Sequence, residues 1–269
     1  MNFLDLIFPK NIYCVSCGRP LPPGTEYRIA LCERCAGEID WVSGRLCLKC
    51  GKPLAIENRK DLCRDCREGS HVFGKAYACA VYTGRAAELV REMKYRDKAW
   101  YADAISAIMA ARYYSAADSE TGELPYYDYL VSVPMAAKKK ASRGYDQAEL
   151  IAAGLSKRLC IRYMKKALVR VRDTEVMSSL SLYGRKGNLE KAFSVPYDMI
   201  NKLAGKKLLI VDDVYTTGSS SDACAETLLA AGAASADLIV FGTGADVRRR
   251  EDRPAVVESP GQLRAKGPT

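Results

Sequence analysis

Residues 208–220, LLIVDDVYTTGSS, bring four apolar β-formers, two adjacent carboxylates and a run of hydroxyls around a glycine into one short stretch. Leu208, Leu209, Ile210 and Val211 read as a central strand of a parallel sheet, covered on both faces. In such sheets ligands gather beyond the carboxyl ends of the strands, where turns run into helix N-termini. Asp212 and Asp213 fall at that end, and Thr216, Thr217, Gly218, Ser219 and Ser220 form the turn into the next helix. Free backbone N–H groups, the helix dipole and the hydroxyls all favour an anion there, and Gly218 lets it approach the backbone. Carboxylates repel a phosphate, so their presence makes sense when one ligand carries both a phosphate and vicinal hydroxyls. A sugar phosphate meets both demands. A plain helix cap would require one such residue, not a series of them.

The second group of chemistry-bearing residues is the cysteines. Eight of the eleven form four CxxC pairs before residue 67: Cys14/Cys17, Cys32/Cys35, Cys47/Cys50 and Cys63/Cys66. The N-terminal stretch lacks the charged front and long apolar middle of a signal peptide, so a cytoplasmic location is expected and the pairs read as metal ligands before disulfides. CVSCGRPL at 14–21 recurs as CLKCGKPL at 47–54, and each copy is followed by another pair, in LCERC and LCRDC. Two tandem units follow from the repeat. A CxxC followed by glycine is a knuckle that offers two thiolates to one ion, with glycine taking the positive φ of the bend. Two zinc ribbons are expected, one held by Cys14, Cys17, Cys32 and Cys35, the other by Cys47, Cys50, Cys63 and Cys66. Cross-braced pairing, with the first and third pairs sharing an ion, stays open, although the repeat argues against it. All-cysteine sites leave no free coordination position, so these zinc ions are structural.

Two tetrathiolate zinc sites lower the formal net charge of +9 to about +5. The basic excess is uneven: residues 1–70 hold 11 Lys/Arg against 9 Asp/Glu, whereas 157–191 hold 10 against 3, so an anionic partner is expected at the later stretch. No apolar run approaches the roughly 18 residues of a membrane span. A single histidine, His71, leaves little scope for a Ser-His or Cys-His relay. It lies at the junction between the cysteine-rich part and the rest, where an exposed linker residue is expected and a ninth metal ligand is the alternative. Cys79, Cys160 and Cys224 read as small core residues.

The elements that must position these groups alternate between strand and helix after residue 75, the pattern of an α/β fold with a mostly parallel twisted sheet. YACAVY, DYLVSVP, KALVRVR, KKLLIVDDV and ADLIVFGTG read as strands. One or two helices are expected across 84–114, one near 146–159 and one after Gly218, while MAAKKKASRGY reads as a basic loop and DTEVMSSLSLYGRKGNLEKAF at 173–193 as a mobile loop leading into a short helix. The division expected is 1–70 double zinc ribbon, 75–245 catalytic-type domain and 246–269 charged tail with an RRR run at 248–250.

The loop at 208–220 resembles the phosphoribosyl pyrophosphate loop of type I phosphoribosyltransferases, and the chain up to about residue 244 is similar to the ComF family. The cysteine pairs with CGRPL and CGKPL, MKYRDK at 93–98, VSVPM at 131–135, SRGYDQAELIA at 142–152 and VRDTEVMSSLSLYGRKGN at 171–188 carry that resemblance. It implies a type I phosphoribosyltransferase fold in which Asp212 and Asp213 bind ribose hydroxyls and Thr216, Thr217, Gly218, Ser219 and Ser220 cradle the 5-phosphate. Lys138, Lys139, Lys140 and Arg143 would face pyrophosphate, with magnesium bound mainly through the ligand's own oxygens. The implied reaction displaces pyrophosphate at the anomeric carbon by a base nitrogen. A competence role, with single-stranded DNA or a DNA-uptake helicase as partner, is the other expectation the resemblance brings. The chain departs from the family at Tyr145-Asp146, where Phe-Asn is usual, and at Met177, where Gln is usual. The first departure adds a negative charge beside a basic loop.

Overall fold

The computed structural model describes residues 13–22, 29–69, 71–95, 98–117, 121–171 and 192–246. Met177, the rest of 172–191 and the arginines at 248–250 lie outside the described residues. Five parallel strands form one sheet in the order β1 (Ala76–Val81), β7 (Ser235–Thr243), β6 (Lys207–Tyr215), β2 (Tyr129–Ser132) and β3 (Arg162–Tyr163). A separate antiparallel pair joins β4 (Val169–Arg170) to β5 (Phe193–Ser194). The expected fold class, a parallel twisted sheet flanked by helices with a small cysteine-rich N-terminal module, is the one found.

Both faces of the sheet are covered, which is why its strands read as unbroken apolar runs. Successive side chains point to opposite faces. Leu209, Val211, Ile239 and Phe241 pack with α3 (Gly84–Tyr95), α4 (Tyr101–Tyr114) and α6 (Gln147–Leu159). Leu208, Ile210, Leu238 and Val240 pack with α7 (Tyr197–Leu203) and α8 (Ser219–Ala230). The alanine-rich α4 is buried on nearly every side because it lies between the sheet and its neighbours α3 and α6. The segment expected as a basic loop folds instead into α5 (Ala137–Arg143), ended by Gly144 in the left-handed conformation. Lys140 of this helix pairs with Glu149 of α6 at 2.8 Å. Among the described residues no helix is long and apolar enough to cross a membrane.

The cysteines fall into the tandem arrangement. Within each of the sets Cys14/Cys17/Cys32/Cys35 and Cys47/Cys50/Cys63/Cys66, the sulfur atoms all lie within 4.8 Å of one another. A tetrahedral ion with Zn–S bonds of about 2.3 Å needs sulfurs about 3.8 Å apart. Cys17 and Cys32 are 3.8 Å apart and Cys50 and Cys63 3.6 Å, so each set fits one structural zinc ion and the cross-braced alternative is excluded. Each second pair straddles the start of a short helix, α1 (Glu33–Gly37) or α2 (Arg64–Glu68).

The two ribbons clasp the open edge of the sheet. Cys14, Cys32 and Cys35 join the core on the α4 face, whereas Cys47, Cys50, Cys63 and Cys66 join the core on the α8 face. Between them, residues 40–42 pair with the free side of β1: Val42 N–H donates to the Cys79 carbonyl and Val81 N–H to the Asp40 carbonyl. Ala76 N–H donates to the Lys49 carbonyl in the second ribbon. An edge strand with unpaired backbone groups is a liability, and the ribbons satisfy it. Cys79 and Cys224 are buried as expected, but Cys160 is exposed. It is the residue in the left-handed conformation that ends α6.

The repeat makes a sharp comparison possible. Gly18 and Gly51 occupy equivalent knuckle positions with φ of +70° each, but a Cβ on Gly18 meets nothing within 4 Å, whereas one on Gly51 lies 2.7 Å from the Ala76 carbonyl oxygen of β1. Gly18→Ala is therefore expected to cost about 1 kcal/mol, for the backbone conformation alone. Gly51→Ala is expected to cost about 2–4 kcal/mol, because the clash with the edge strand adds to it. Urea melts of the zinc-loaded variants measure both, and equal losses would refute the clasp.

Candidate functional site

The chain order reverses between β2 and β6. The crossover from β2 to β3 runs outward with α6 on one face, while that from β6 to β7 runs the opposite way with α8 on the other. Such a switch point opens a crevice at the carboxyl ends of the two strands. Here β2 stays with β6 from Tyr129↔Leu208 to Ser132↔Val211, with a last bond from Val133 N–H to the Val211 carbonyl. β6 continues beside β7 as far as Tyr215↔Thr243. Asp212 and Asp213 lie in that one-sided extension.

Thr216, Thr217 and Gly218 then turn the chain into α8, whose first residues are Ser219 and Ser220. Gly218 caps the helix at φ +82°. The Thr217 and Ser219 hydroxyls are 3.1 Å apart. The five residues of the expected phosphate cradle thus run on, after the two carboxylates and Tyr215, through the turn at 216–218 and into the first residues of α8. At the start of a helix the first amides have no intrahelical acceptor, which leaves this turn suited to an anion.

The carboxylates are unequal. Asp213 is buried and pairs with Lys94, whose Nζ is 2.9 Å from Oδ1 and 2.8 Å from Oδ2. Asp212 is half-buried, and its Oδ1 accepts the Asp213 N–H at 2.8 Å. Burial, then the neighbouring Asp213 charge, push the Asp212 carboxyl up to about 8, with Lys94 opposing them. Burial works against the Lys94 charge, yet Asp213 and Asp212 hold this ammonium above the ordinary lysine range. Lys94 is the residue of the candidate site that the sequence did not single out. It lies in the MKYRDK stretch, but only the fold brings the end of α3 beneath β6.

Asp146 explains one departure from the family pattern. It is buried, caps α6 by accepting the Glu149 N–H at 3.3 Å, and also accepts the Met135 N–H at 2.9 Å. One side chain therefore ties the start of the 135–146 excursion to its end. Burial raises its carboxyl above the usual range, and its charge adds to the pressure on Asp212. Of the four cations expected near pyrophosphate, Lys138 and Lys139 lie on the exposed side of α5 and Lys140 is engaged by Glu149. Arg143 stacks over the Tyr95 ring at 5.2 Å, and the Tyr145 hydroxyl donates to the Met93 carbonyl. That part of the excursion therefore docks on the last turn of α3, the turn that carries Lys94.

His71 is not the exposed linker residue the sequence suggested. Its side chain is 7% exposed, with Nδ1 2.8 Å from Asp222 Oδ2 in α8 and Nε2 3.2 Å from the Tyr215 hydroxyl. Its ring stacks on Phe73 with centroids 5.0 Å apart. Partners some 150 residues away bury it, and no local pattern announces them.

A family model for the double zinc ribbon domain matches residues 3–67. The chain is 31% identical over 189 residues to the DNA utilization protein YhgH of Salmonella typhimurium, covering 70% of this chain and 80% of that protein. It is 27% identical over 221 residues to Competence protein F of Haemophilus influenzae, covering 82% and 89%. Among solved structures, glutamine phosphoribosylpyrophosphate (PRPP) amidotransferase from B. subtilis matches at 17% identity with a TM-score of 0.34, covering 54% of this chain and 26% of that one.

The raised Asp212 carboxyl has a thermodynamic consequence. A carboxyl that titrates near 8 when folded and near 4 when unfolded stabilises the fold only while protonated, so its contribution falls as pH rises from about 4 to about 8. Asp212→Asn removes that penalty. Thermal melts should find the variant more stable than the parent by about 1–2 kcal/mol at pH 8, with the difference shrinking toward pH 5. A variant less stable at pH 8 would mean that Asp212 is held as a stabilising anion.

Proposed function

This chain belongs to the ComF family, and on that footing we propose that it binds phosphoribosyl pyrophosphate with magnesium in the crevice between β2 and β6 and transfers the phosphoribosyl group to a base or other acceptor. The observation that carries the reading is the continuity of two carboxylates and a helix-capping hydroxyl turn along one strand end at the reversal of strand order. Asp212 and Asp213 accept hydrogen bonds from the ribose hydroxyls, and the 216–220 turn holds the 5-phosphate. Lys138, Lys139, Lys140 and Arg143 supply positive charge on the pyrophosphate side. Lys94 pairs with the buried Asp213 and holds it in place.

Asp213 already shares both oxygens with Lys94, so this pair is not a cage for a bare cation. That suits magnesium brought in on the ligand's own oxygens, where it would neutralise pyrophosphate charge. In the transfer the bond from C1 to the pyrophosphate oxygen breaks and its electron pair leaves with pyrophosphate. The acceptor's lone pair forms the new bond to C1, and a proton leaves the acceptor for solvent. The chain's part is positioning and charge stabilisation of an oxocarbenium-like carbon, with no protein nucleophile.

A second reading rests on the names of the relatives, which speak of DNA utilization and competence. In it the same ligand is a regulatory signal, while the ribbons and the basic 157–191 stretch engage single-stranded DNA or a helicase. Calorimetry separates the possibilities. The zinc-loaded protein is expected to bind phosphoribosyl pyrophosphate only with magnesium, and the double variant Asp212→Asn/Asp213→Asn to lose about 100-fold or more in affinity. Absence of magnesium-dependent binding rejects the reading. Binding without release of pyrophosphate, in the presence of nucleobases, favours the regulatory form. Single-strand binding should weaken at least tenfold between 50 and 200 mM salt if the basic stretch contacts phosphates, in line with counterion release of about one ion per contact.

A further inference from the structure

His71, Tyr215 and Asp222 form a cluster that lies against the phosphate turn but supplies none of its expected ligands. Three features converge there. A Cβ on Gly218 would lie 2.8 Å from His71 Cε1 and 2.8 Å from the Tyr215 hydroxyl, so the imidazole and the phenol fill the space directly against the capping glycine. Asp222, in the first turn of α8, receives the His71 ring at Oδ2 and the Val72 N–H at Oδ1, at 2.8 and 2.7 Å, while its own N–H closes the first helical bond to Gly218. Phe73 and Tyr215, both buried almost completely, wall the imidazole with ring contacts of 5.0 and 6.2 Å. Burial holds the Tyr215 phenol protonated, so its O–H can donate to Nε2. The other ring nitrogen can then donate to Asp222, so each ring nitrogen has a partner.

Binding a phosphate at a helix start needs amides fixed in direction before the ligand arrives, since reorganising them on binding costs affinity. The 216–218 turn has few fixed contacts of its own: Thr216 is exposed, and Gly218 is the residue with the widest conformational freedom. The cluster provides the missing constraint from beneath. It also comes from the other end of the chain, since residues 71–73 connect the second ribbon to β1.

We infer that His71 is a positioning residue for the phosphate half of the site, holding the Gly218 turn and the first turn of α8 through Tyr215 and Asp222. The inference rests on the reading of the crevice as a phosphoribosyl pyrophosphate site, and it extends the ligand machinery to a residue of the ribbon-to-sheet connection.

The test uses the full-length, zinc-loaded protein and two probes measured by calorimetry with magnesium, phosphoribosyl pyrophosphate and inorganic pyrophosphate. His71→Leu fills part of the ring's volume but leaves the Asp222 carboxylate and the Tyr215 hydroxyl without their partner. It is expected to weaken phosphoribosyl pyrophosphate by about tenfold or more, while pyrophosphate, which lacks the 5-phosphate, changes less than about twofold. His71→Asn, which keeps a donor close to the Nδ1 position, should restore most of the loss, and Tyr215→Phe should reproduce it in smaller measure. Equal weakening of both probes would mean general damage and overturn the inference, as would a His71→Leu protein that binds phosphoribosyl pyrophosphate like the parent. If His71→Leu fails to fold, the decision passes to Tyr215→Phe, where a selective loss supports the inference and parental binding overturns it. A parent protein that binds neither probe removes the underlying reading and this inference together, a result distinct from the other failures.

Discussion

Beyond Val211, β6 has one strand partner instead of two. On the β7 side the ladder runs four residues further, and on the β2 side it stops. That loss of a neighbour creates the crevice, and it follows from the reversal of strand order, because right-handed crossovers running in opposite directions place α6 and α8 on opposite faces and part the loops above them. A backbone still ordered by β7 but open toward β2 can offer side chains to a ligand without the strain of a free loop. Asp212 and Asp213 occupy that stretch, and the hydroxyl turn begins where it ends.

The same geometry makes the charges costly. Two adjacent carboxylates at a half-closed strand end repel each other and lose hydration, and Asp146 adds a third negative charge nearby. Lys94 compensates from below, with both Asp213 oxygens within 2.9 Å of its ammonium. Asp213 is thus paired, while Asp212 carries most of the strain as a raised carboxyl. Buried charge left without such a partner costs several kcal/mol, so the Lys94 contact is a condition for having the acidic pair here at all. Asp146 has a structural reason of its own, since its two backbone hydrogen bonds close the excursion that carries α5.

The ribbons contribute more than folded appendages. One joins the core on each face of the sheet, and the segment between them covers the free side of β1. Metal binding replaces the hydrophobic core that so short a segment cannot build. The second ribbon lies close behind the site: Lys52, paired with Asp65 at 2.5 Å, sits 5.4 Å above the Tyr215 ring, and Tyr215 in turn touches His71. The second cysteine set, the edge strand and the hydroxyl turn therefore form one packed unit on the α8 face.

Local chemistry made much of this legible in advance. The knuckle glycines and the repeat carried the zinc ligands, and the tandem pairing needed only sulfur distances to exclude its alternative. The apolar run at 208–211 announced a doubly covered strand, and the hydroxyl cluster after it marked a helix start, because both signals depend on residues adjacent in sequence. What the sequence could not announce were contacts between distant segments. Lys94 and Asp213 are 119 residues apart and His71 and Asp222 are 151 apart, and each looks unremarkable in its own neighbourhood. The basic stretch at 137–143 read as a loop because it buries no apolar face that periodicity could reveal, and Cys160 read as core because periodicity does not reveal where a helix ends. Residue type and spacing determined the ligands and the strand, whereas which charges meet, and which side chain supports the glycine turn, was decided only when packing brought the two ends of the chain together.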